Sequence, residues 1–160
     1  MFPQLAADGD ALYATWYDRR NGNTDVFFNR SLDAGRSWLS TDRRLDTDPP
    51  GASGSNVPRI AASGDGAVYV AWEDQRNGLS EIRFNRSPDD GEHWWPSDVR
   101  VDRSVPVDGS SIEVDIAAAG ARVYVVWQDN RSGAWDVYFN RSLDGGATWL
   151  DEDVRLDTDE

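Results

Sequence analysis

The sequence has 160 residues, a formal net charge of −13 and no cysteine. The negative charge argues against nucleic acid or an anionic membrane as a partner, because both require clustered positive charge on the protein. The lack of cysteine excludes disulfides and thiolate chemistry. No apolar run approaches the roughly 18 residues that a membrane-spanning helix needs, so we expect no membrane insertion.

An internal repeat with a period of about 55 residues dominates the chain. Trp16, Trp72 and Trp127 recur at this spacing, and the three copies occupy residues 1–48, 49–104 and 105–160. All 16 basic residues are arginine, and most acidic residues are aspartate. Two explanations for this bias stay open: a high-salt or GC-rich source, and copying of one Asp- and Arg-bearing repeat.

Each repeat opens with two segments that predict strands. Both are short and bounded by turn residues, and the second is apolar at odd and even positions alike, as in a strand covered on both faces. The first segments are Gln4–Ala7, Arg59–Ala62 and Asp115–Ala118, and the second are Leu12–Trp16, Val68–Trp72 and Val123–Trp127.

Two further segments complete each repeat. The third is rich in β-branched and aromatic residues, and the fourth is polar, as expected for an outer edge strand. The third segments are Asp25–Arg30, Ile82–Arg86 and Val137–Arg141, and the fourth are Arg43–Asp46, Val99–Asp102 and Val154–Asp157. Linkers are predicted at Asp48–Asn56 and Val105–Ser111. The predicted fold class is therefore all-β, with three four-stranded antiparallel sheets and no helix.

Between the third and fourth segments each repeat carries the pattern Ser-x-Asp-x-Gly-x-Ser/His/Thr-Trp. Asp and Ser can bind the N–H groups of a tight turn, Gly tolerates positive φ, and Trp covers the turn with apolar surface. The defining residues are Ser31, Asp33, Gly35 and Trp38, then Ser87, Asp89, Gly91 and Trp94, and finally Ser142, Asp144, Gly146 and Trp149.

Three such octapeptides at a constant period resemble the BNR or Asp-box repeats of sialidase-like β-propellers. The resemblance implies three propeller blades and makes the Asp-boxes structural turns on the face opposite the active site. It implies no cofactor, favours a secreted or periplasmic location, and assigns a structural role to His93, the only histidine.

A second motif, Trp-x-Asp-x-Arg-x-Gly, joins the second and third strands at the end opposite the Asp-box. In the resembling family this is the substrate face, and Arg is well shaped to bind a carboxylate or sulfate. The candidate ligand-binding residues are Asp18, Arg20, Asp74, Arg76, Asp129 and Arg131. The alternative interpretation, which we favour, pairs each arginine with the aspartate of its own motif or with a neighbouring blade, because a residue present in every copy serves what all copies share.

No catalytic residue is assigned from the sequence. A retaining sialidase similar to this family would need an arginine triad, a Tyr with a Glu partner and an Asp acid/base, and the glutamates have no convincing partner tyrosine. The runs Asp46-Thr47-Asp48 and Asp157-Thr158-Asp159 offer oxygen ligands of the kind that Ca²⁺ prefers. Such turns in an acidic protein are usually solvated, so no metal site is predicted.

Three blades leave two apolar blade faces uncovered, since propellers close with about four to eight blades. The leading prediction is half of a six-bladed propeller that forms a homodimer by blade packing. It would be a non-catalytic module that binds a glycan or protein. The alternatives are a sialidase-like glycoside hydrolase active after dimerisation, a fragment of a longer propeller enzyme, and a purely structural repeat.

Overall fold

Twelve β-strands form three separate four-stranded antiparallel sheets in the computed structural model, which describes residues 2–103 and 109–158. The sheet orders are β1-β2-β3-β4, β5-β6-β7-β8 and β9-β10-β11-β12, which we call blades 1, 2 and 3. The strands are β1 Gln4–Asp8, β2 Ala11–Asp18, β3 Asp25–Ser31, β4 Arg43–Arg44, β5 Ser55–Ser63, β6 Ala67–Asp74, β7 Glu81–Ser87, β8 Val99–Arg100, β9 Ser111–Ala119, β10 Arg122–Asp129, β11 Asp136–Ser142 and β12 Val154–Arg155.

The first three strands of each blade agree with the sequence prediction and extend it. The predicted linker Asp48–Asn56 ends earlier than expected, because β5 begins at Ser55. The second predicted linker lies mostly outside the described residues, and Ser111 already belongs to β9. Within residues 2–103 and 109–158 no helix has the length and apolar character to cross a membrane.

Strands β5 and β9 each carry an irregularity that the sequence pattern does not predict. The register of β5 on β6 shifts between Asn56 and Arg59, and Val57 at the shift has φ of 47°. The register of β9 on β10 shifts likewise, near Glu113, which has φ of 54°. A positive φ is unusual for any residue other than glycine, and most of all for a β-branched residue such as Val57. At both positions it marks a local bulge in the first strand of the blade.

The core lies between blades rather than within one sheet. One cluster joins Tyr13, Val26, Phe28 and Leu45 of blade 1 to Val68, Val70 and Trp72 of blade 2. A second cluster joins blade 2 to blade 3 in the same way. Residues 68–72 are at most 2% exposed, which confirms that the second strand of the middle blade is covered on both faces.

The fourth strands differ from the prediction of a four-residue polar edge. Each is an edge strand, but only two residues pair with the third strand. The residues that follow turn inward: Leu45 is 1% and Asp46 2% exposed, and Val101 is fully buried. The polar pattern concealed this burial because Asp46 is buried with partners, accepting the Val26 N–H at 2.8 Å and an Arg44 Nη1–H at 3.0 Å.

The two outer blades each present an uncovered apolar surface. We call the free side of blade 3 the trailing face, with Tyr124, Val126, Val137, Phe139 and Leu156, and the free side of blade 1 the leading face, with Leu5, Leu12, Ala14, Trp16 and Trp38. Val137 and Leu156 are 39% and 49% exposed, whereas their counterparts in blades 1 and 2 are at most 1% exposed. Exposure at these positions thus follows from the place of the blade in the chain.

Candidate functional site

The Asp-box turn has the same geometry in every blade. In blade 1, Ser31 Oγ donates to Asp33 Oδ1 at 2.7 Å and accepts the Gly35 N–H at 2.9 Å. Asp33 also accepts the Ser37 N–H and hydroxyl at 2.8 and 2.6 Å. The Ser37 hydroxyl, the Ser37 N–H and Ser31 lower the pKa of Asp33 to about 2. Blades 2 and 3 repeat these bonds.

His93 occupies the Ser37 position in blade 2. Its ring Nδ1 lies 2.6 Å from Asp89 Oδ2, and its side chain is 78% exposed. The His93 N–H is the main group that lowers the pKa of Asp89 to about 2. His93 therefore contributes the same turn contacts as Ser37 and Thr148, on the surface that carries the Asp-boxes.

The Asp-box tryptophans pack against the preceding blade. The Trp94 indole N–H donates to Gly91 O at 3.2 Å while its ring meets Phe28 of blade 1 edge-on, with the ring centroids 4.9 Å apart. Trp149 contacts Phe84 of blade 2 in the same manner at 5.1 Å. Trp38 is 44% exposed, because none of the described blades packs on that side of blade 1. The Asp-box thus joins blades as well as closing a hairpin.

The arginines one residue before the Asp-boxes of blades 1 and 2 each cross to the next blade. Arg30 donates to the Asp90 carbonyl at 2.5 Å and pairs with the Glu92 carboxylate. Arg86 donates to the Gly145 carbonyl at 2.8 Å. The sequence prediction placed these arginines at strand ends and missed this contact, although their identity in all three copies was a usable signal.

The Trp-x-Asp-x-Arg turns lie at the other end of β3, β7 and β11. Arg76 donates to Asp74 at 2.7 Å and to Asp98 at 3.0 Å, and its side chain is 17% exposed. Burial acts to raise the pKa of Asp74, but the Arg76 hydrogen bonds outweigh it and the pKa is lowered. Asp74 also accepts the Trp72 indole N–H at 3.1 Å. The turn is therefore a closed ion-pair network.

Blades 1 and 3 repeat this network with one difference in access. Arg20 pairs with Asp18 and Asp42, and Arg131 pairs with Asp129 and Asp153. The side chain of Arg131 is 13% exposed, whereas that of Arg20 is 44% exposed. Arg20 is thus the most accessible of the three guanidinium groups proposed from the sequence, although its N–H groups also have carboxylate partners.

A cluster of three carboxylates lies beside the turn of blade 1. Asp25, Asp46 and Asp48 each place an oxygen within 4.8 Å of the others. Arg44 Nη1 lies 3.2, 3.0 and 3.7 Å from them. Burial is the main cause that raises the pKa of Asp46, and the charge of Asp25 adds to it. The cluster therefore has its own cation, which ties β3 and β4 to the linker.

One polar contact breaks the symmetry of the repeat. Glu73 of blade 2 accepts the backbone N–H of Glu113 of blade 3 at 2.8 Å. Burial raises the pKa of Glu73 in spite of that hydrogen bond. The equivalent positions hold Tyr17 and Gln128. The sequence analysis considered the glutamates only for a partner tyrosine and did not predict that Glu73 and Glu113 approach each other, a contact made at the bulge that contains Glu113.

These features define a partial β-propeller, in which successive four-stranded blades pack face to face and are joined through Asp-box turns. No protein-family model and no curated protein matches the sequence. Solved structures do match. Trypanosoma rangeli sialidase in complex with the inhibitor DANA aligns with 97% of this chain at a TM-score of 0.65 and 16% identity.

Two fungal glycoside hydrolases are similar to a comparable degree. Penicillium chrysogenum α-L-arabinanase complexed with arabinobiose aligns with 96% of the chain at a TM-score of 0.64 and 14% identity. The GH93 α-L-arabinofuranosidase of Fusarium graminearum also aligns with 96% of the chain, at a TM-score of 0.61 and 14% identity. The chain spans 30% of the sialidase and 49% of each fungal enzyme. At these identities the likeness is one of fold.

Proposed function

We propose that two copies of this chain pack into a closed six-bladed ring that acts as a non-catalytic binding scaffold. The observation that carries this proposal is the exposed apolar surface at each end of the blade stack. The internal junctions show what covers such a surface. At each of them, the side of a blade that corresponds to the leading face packs on the side of the blade before it that corresponds to the trailing face. A second copy supplies the missing half of the same junction.

Specific groups on the two faces correspond to pairs already formed inside the chain. Trp38 of one copy would cover Phe139 of the other, as Trp94 covers Phe28. Asp98 accepts the Thr47 N–H at 2.8 Å across the first internal junction. The equivalent Asp42 has a side chain that is 25% exposed, against 0% for Asp98. Asp42 already accepts from Asn29 and Arg20, but it is still partly open to a neighbouring blade.

The comparison of lengths supports two copies. The chain spans 49% of the arabinanase chain that shares its fold, so two copies supply about the blade complement of one such enzyme. A two-fold axis makes both junctions identical, with blade 3 of each copy against blade 1 of the other. Closed rings of this kind leave neither apolar face exposed.

Light scattering tests this assembly. We expect a solution mass of twice the 17.8 kDa of one chain. A monomer at micromolar concentration would contradict the ring. A mass of three or more chains would require a different ring or an open fibre, and would equally reject the proposed two-fold assembly.

The proposed ligand surface of this ring is the face that carries the Trp-x-Asp-x-Arg turns. Arg20 is the guanidinium group with the greatest access to a glycan or protein ligand there. One cleft at this end, lined by Asn77, Leu79, Ser80, Glu81, Arg100 and Gly109, has a volume of about 290 Å³. This volume is near the lower end of the range for small-molecule sites. A cleft of this size supports ligand binding at the surface.

A sialidase-like glycoside hydrolase active after dimerisation is the second candidate, and the Glu73–Glu113 contact favours it. A carboxylic acid with a raised pKa is suited to proton donation in glycoside cleavage. The dimer should therefore be incubated with aryl sialosides and aryl arabinosides, with binding and turnover read separately. If the dimer binds one of these glycosides without turning it over, and Arg20→Ala weakens that binding, the result supports the scaffold. Turnover that Glu73→Gln lowers by about 100-fold or more would establish the enzyme instead.

A further inference from the structure

The junction between copies differs from the first internal junction in its charged side chains. The second internal junction has neither of the two acids described next, because Gly145 and Ala147 hold their positions, and it has no arginine at either of them. At the first internal junction two acids of the blade 2 Asp-box receive donors from blade 1: Asp90 accepts the Tyr13 hydroxyl at 2.6 Å, and Glu92 pairs with Arg30 and Arg43. The positions of these acids in the blade 1 Asp-box are held by Ala34 and Arg36. Both carboxylates are thus replaced at the junction that closes the ring.

The donors on the opposite surface are retained. Arg141 of blade 3 is the counterpart of Arg30 and Arg86, and Tyr124 is the counterpart of Tyr13. Arg122 lies on the same side of β10 as Tyr124, two residues away, at a position held by Ala11 and Ala67 in the other blades. Both alanines pack into internal junctions, so Arg122 faces the junction between copies.

Within residues 2–103 and 109–158 the guanidinium groups of Arg36, Arg122 and Arg141 have no carboxylate partner, and all three residues are exposed. The nearest Asp-box carboxylate, Asp33, is already occupied by Ser31 and Ser37. Asp10, whose carbonyl accepts the Ala34 N–H at 2.8 Å, is the other acid beside this turn. Ring closure therefore brings three cations together around one turn that has fewer free carboxylates than cations. Arginine forks of this kind bind tetrahedral oxyanions through paired N–H groups.

We propose that each junction between copies forms a binding site for a tetrahedral oxyanion, built from Arg122 and Arg141 of one copy and Arg36 of the partner subunit. The inference rests on the proposed ring, because neither half of the site is complete in one chain. The bound anion takes the place that Glu92 has at the first internal junction, and it removes the repulsion between Arg36 and Arg141. Ring closure is consequently coupled to anion binding.

Sedimentation measures the dimer dissociation constant in sodium sulfate and in sodium chloride at equal ionic strength. We expect dimerisation to be about tenfold tighter in sulfate, since each ring contains two sites and an exposed ion pair contributes up to about 1 kcal/mol. Calorimetric titration of the dimer should give one sulfate per chain. Inorganic phosphate is the second probe, and a sulfated disaccharide distinguishes a glycan sulfate from the free ion.

Arg36→Glu provides the decisive variant, because it restores the acid found at Glu92. This variant should dimerise tightly in chloride and lose the response to sulfate. Arg19→Glu makes the same charge change on the exposed turn at the other end of the blade and should keep the response, which corrects for the general effect of sulfate on apolar burial.

The outcomes separate the two proposals. A monomer in every solution rejects the ring and the anion site together. A dimer that responds equally to sulfate and chloride, or a response that Arg36→Glu and Arg19→Glu share, rejects the anion site and leaves the ring intact.

Discussion

Phe139→Asp is expected to abolish dimer formation while leaving the single chain folded. Phe139 is the blade 3 counterpart of Phe28 and Phe84, which are fully buried beneath the tryptophan of the next blade. In one chain Phe139 lies on the free trailing face, so a carboxylate there costs the monomer little. In the ring the same carboxylate would be buried beneath Trp38 of the partner subunit in place of an aromatic ring, which costs several kcal/mol.

The dissociation constant of this variant should therefore rise by at least 100-fold, as measured by sedimentation at several concentrations. Leu143→Asp is the matched control. Leu143 is 56% exposed, and its blade 2 counterpart Pro88 is exposed although it lies in an internal blade. Equal dimerisation by the Phe139→Asp and wild-type proteins, or equal loss in both variants, would contradict the proposed junction.

The repeat period and the turn chemistry made the strand order predictable from sequence. Each blade is a local unit whose hairpins are specified by Gly, Asp and Ser at fixed positions, so no long-range information is needed. The strongly apolar second strands likewise indicated cover on both faces. The bulges at Val57 and Glu113 were not predictable, because no local preference places a valine or glutamate at positive φ. They arise from pairing with β6 and β10.

The candidate site was predictable only in part for a related reason. The motif named Arg76 and Asp74 as neighbours, but Asp98, 22 residues from Arg76, comes from the region before β8. The Arg30 contacts with blade 2 and the approach of Glu113 to Glu73 also depend on how blades stack. Pattern within one repeat describes one blade, whereas these contacts belong to the junction between two.

Gly91→Ala is expected to lower the free energy of unfolding by about 2–5 kcal/mol. Gly91 has φ of 80°, and a methyl group at its Cα would overlap the Phe28 ring of blade 1. A left-handed conformation costs an L-residue about 1–2 kcal/mol, and overpacking a buried contact adds about 1–3 kcal/mol. Gly146→Ala should behave alike, because its methyl group would overlap Phe84.

Gly35→Ala distinguishes the backbone cost from the packing cost. Gly35 has φ of 84°, but a methyl group there would approach only Leu12 Cδ1, at 3.3 Å. In the Phe139→Asp background, where association is removed, urea unfolding should show a loss of about 1–2 kcal/mol for Gly35→Ala and the larger loss for Gly91→Ala. In the otherwise wild-type chain Gly35→Ala should also weaken the dimer, since its methyl group would meet Phe139 of the partner subunit. Equal losses for all three glycines in the monomeric background would show that blade contact adds nothing to turn strain at the Asp-box.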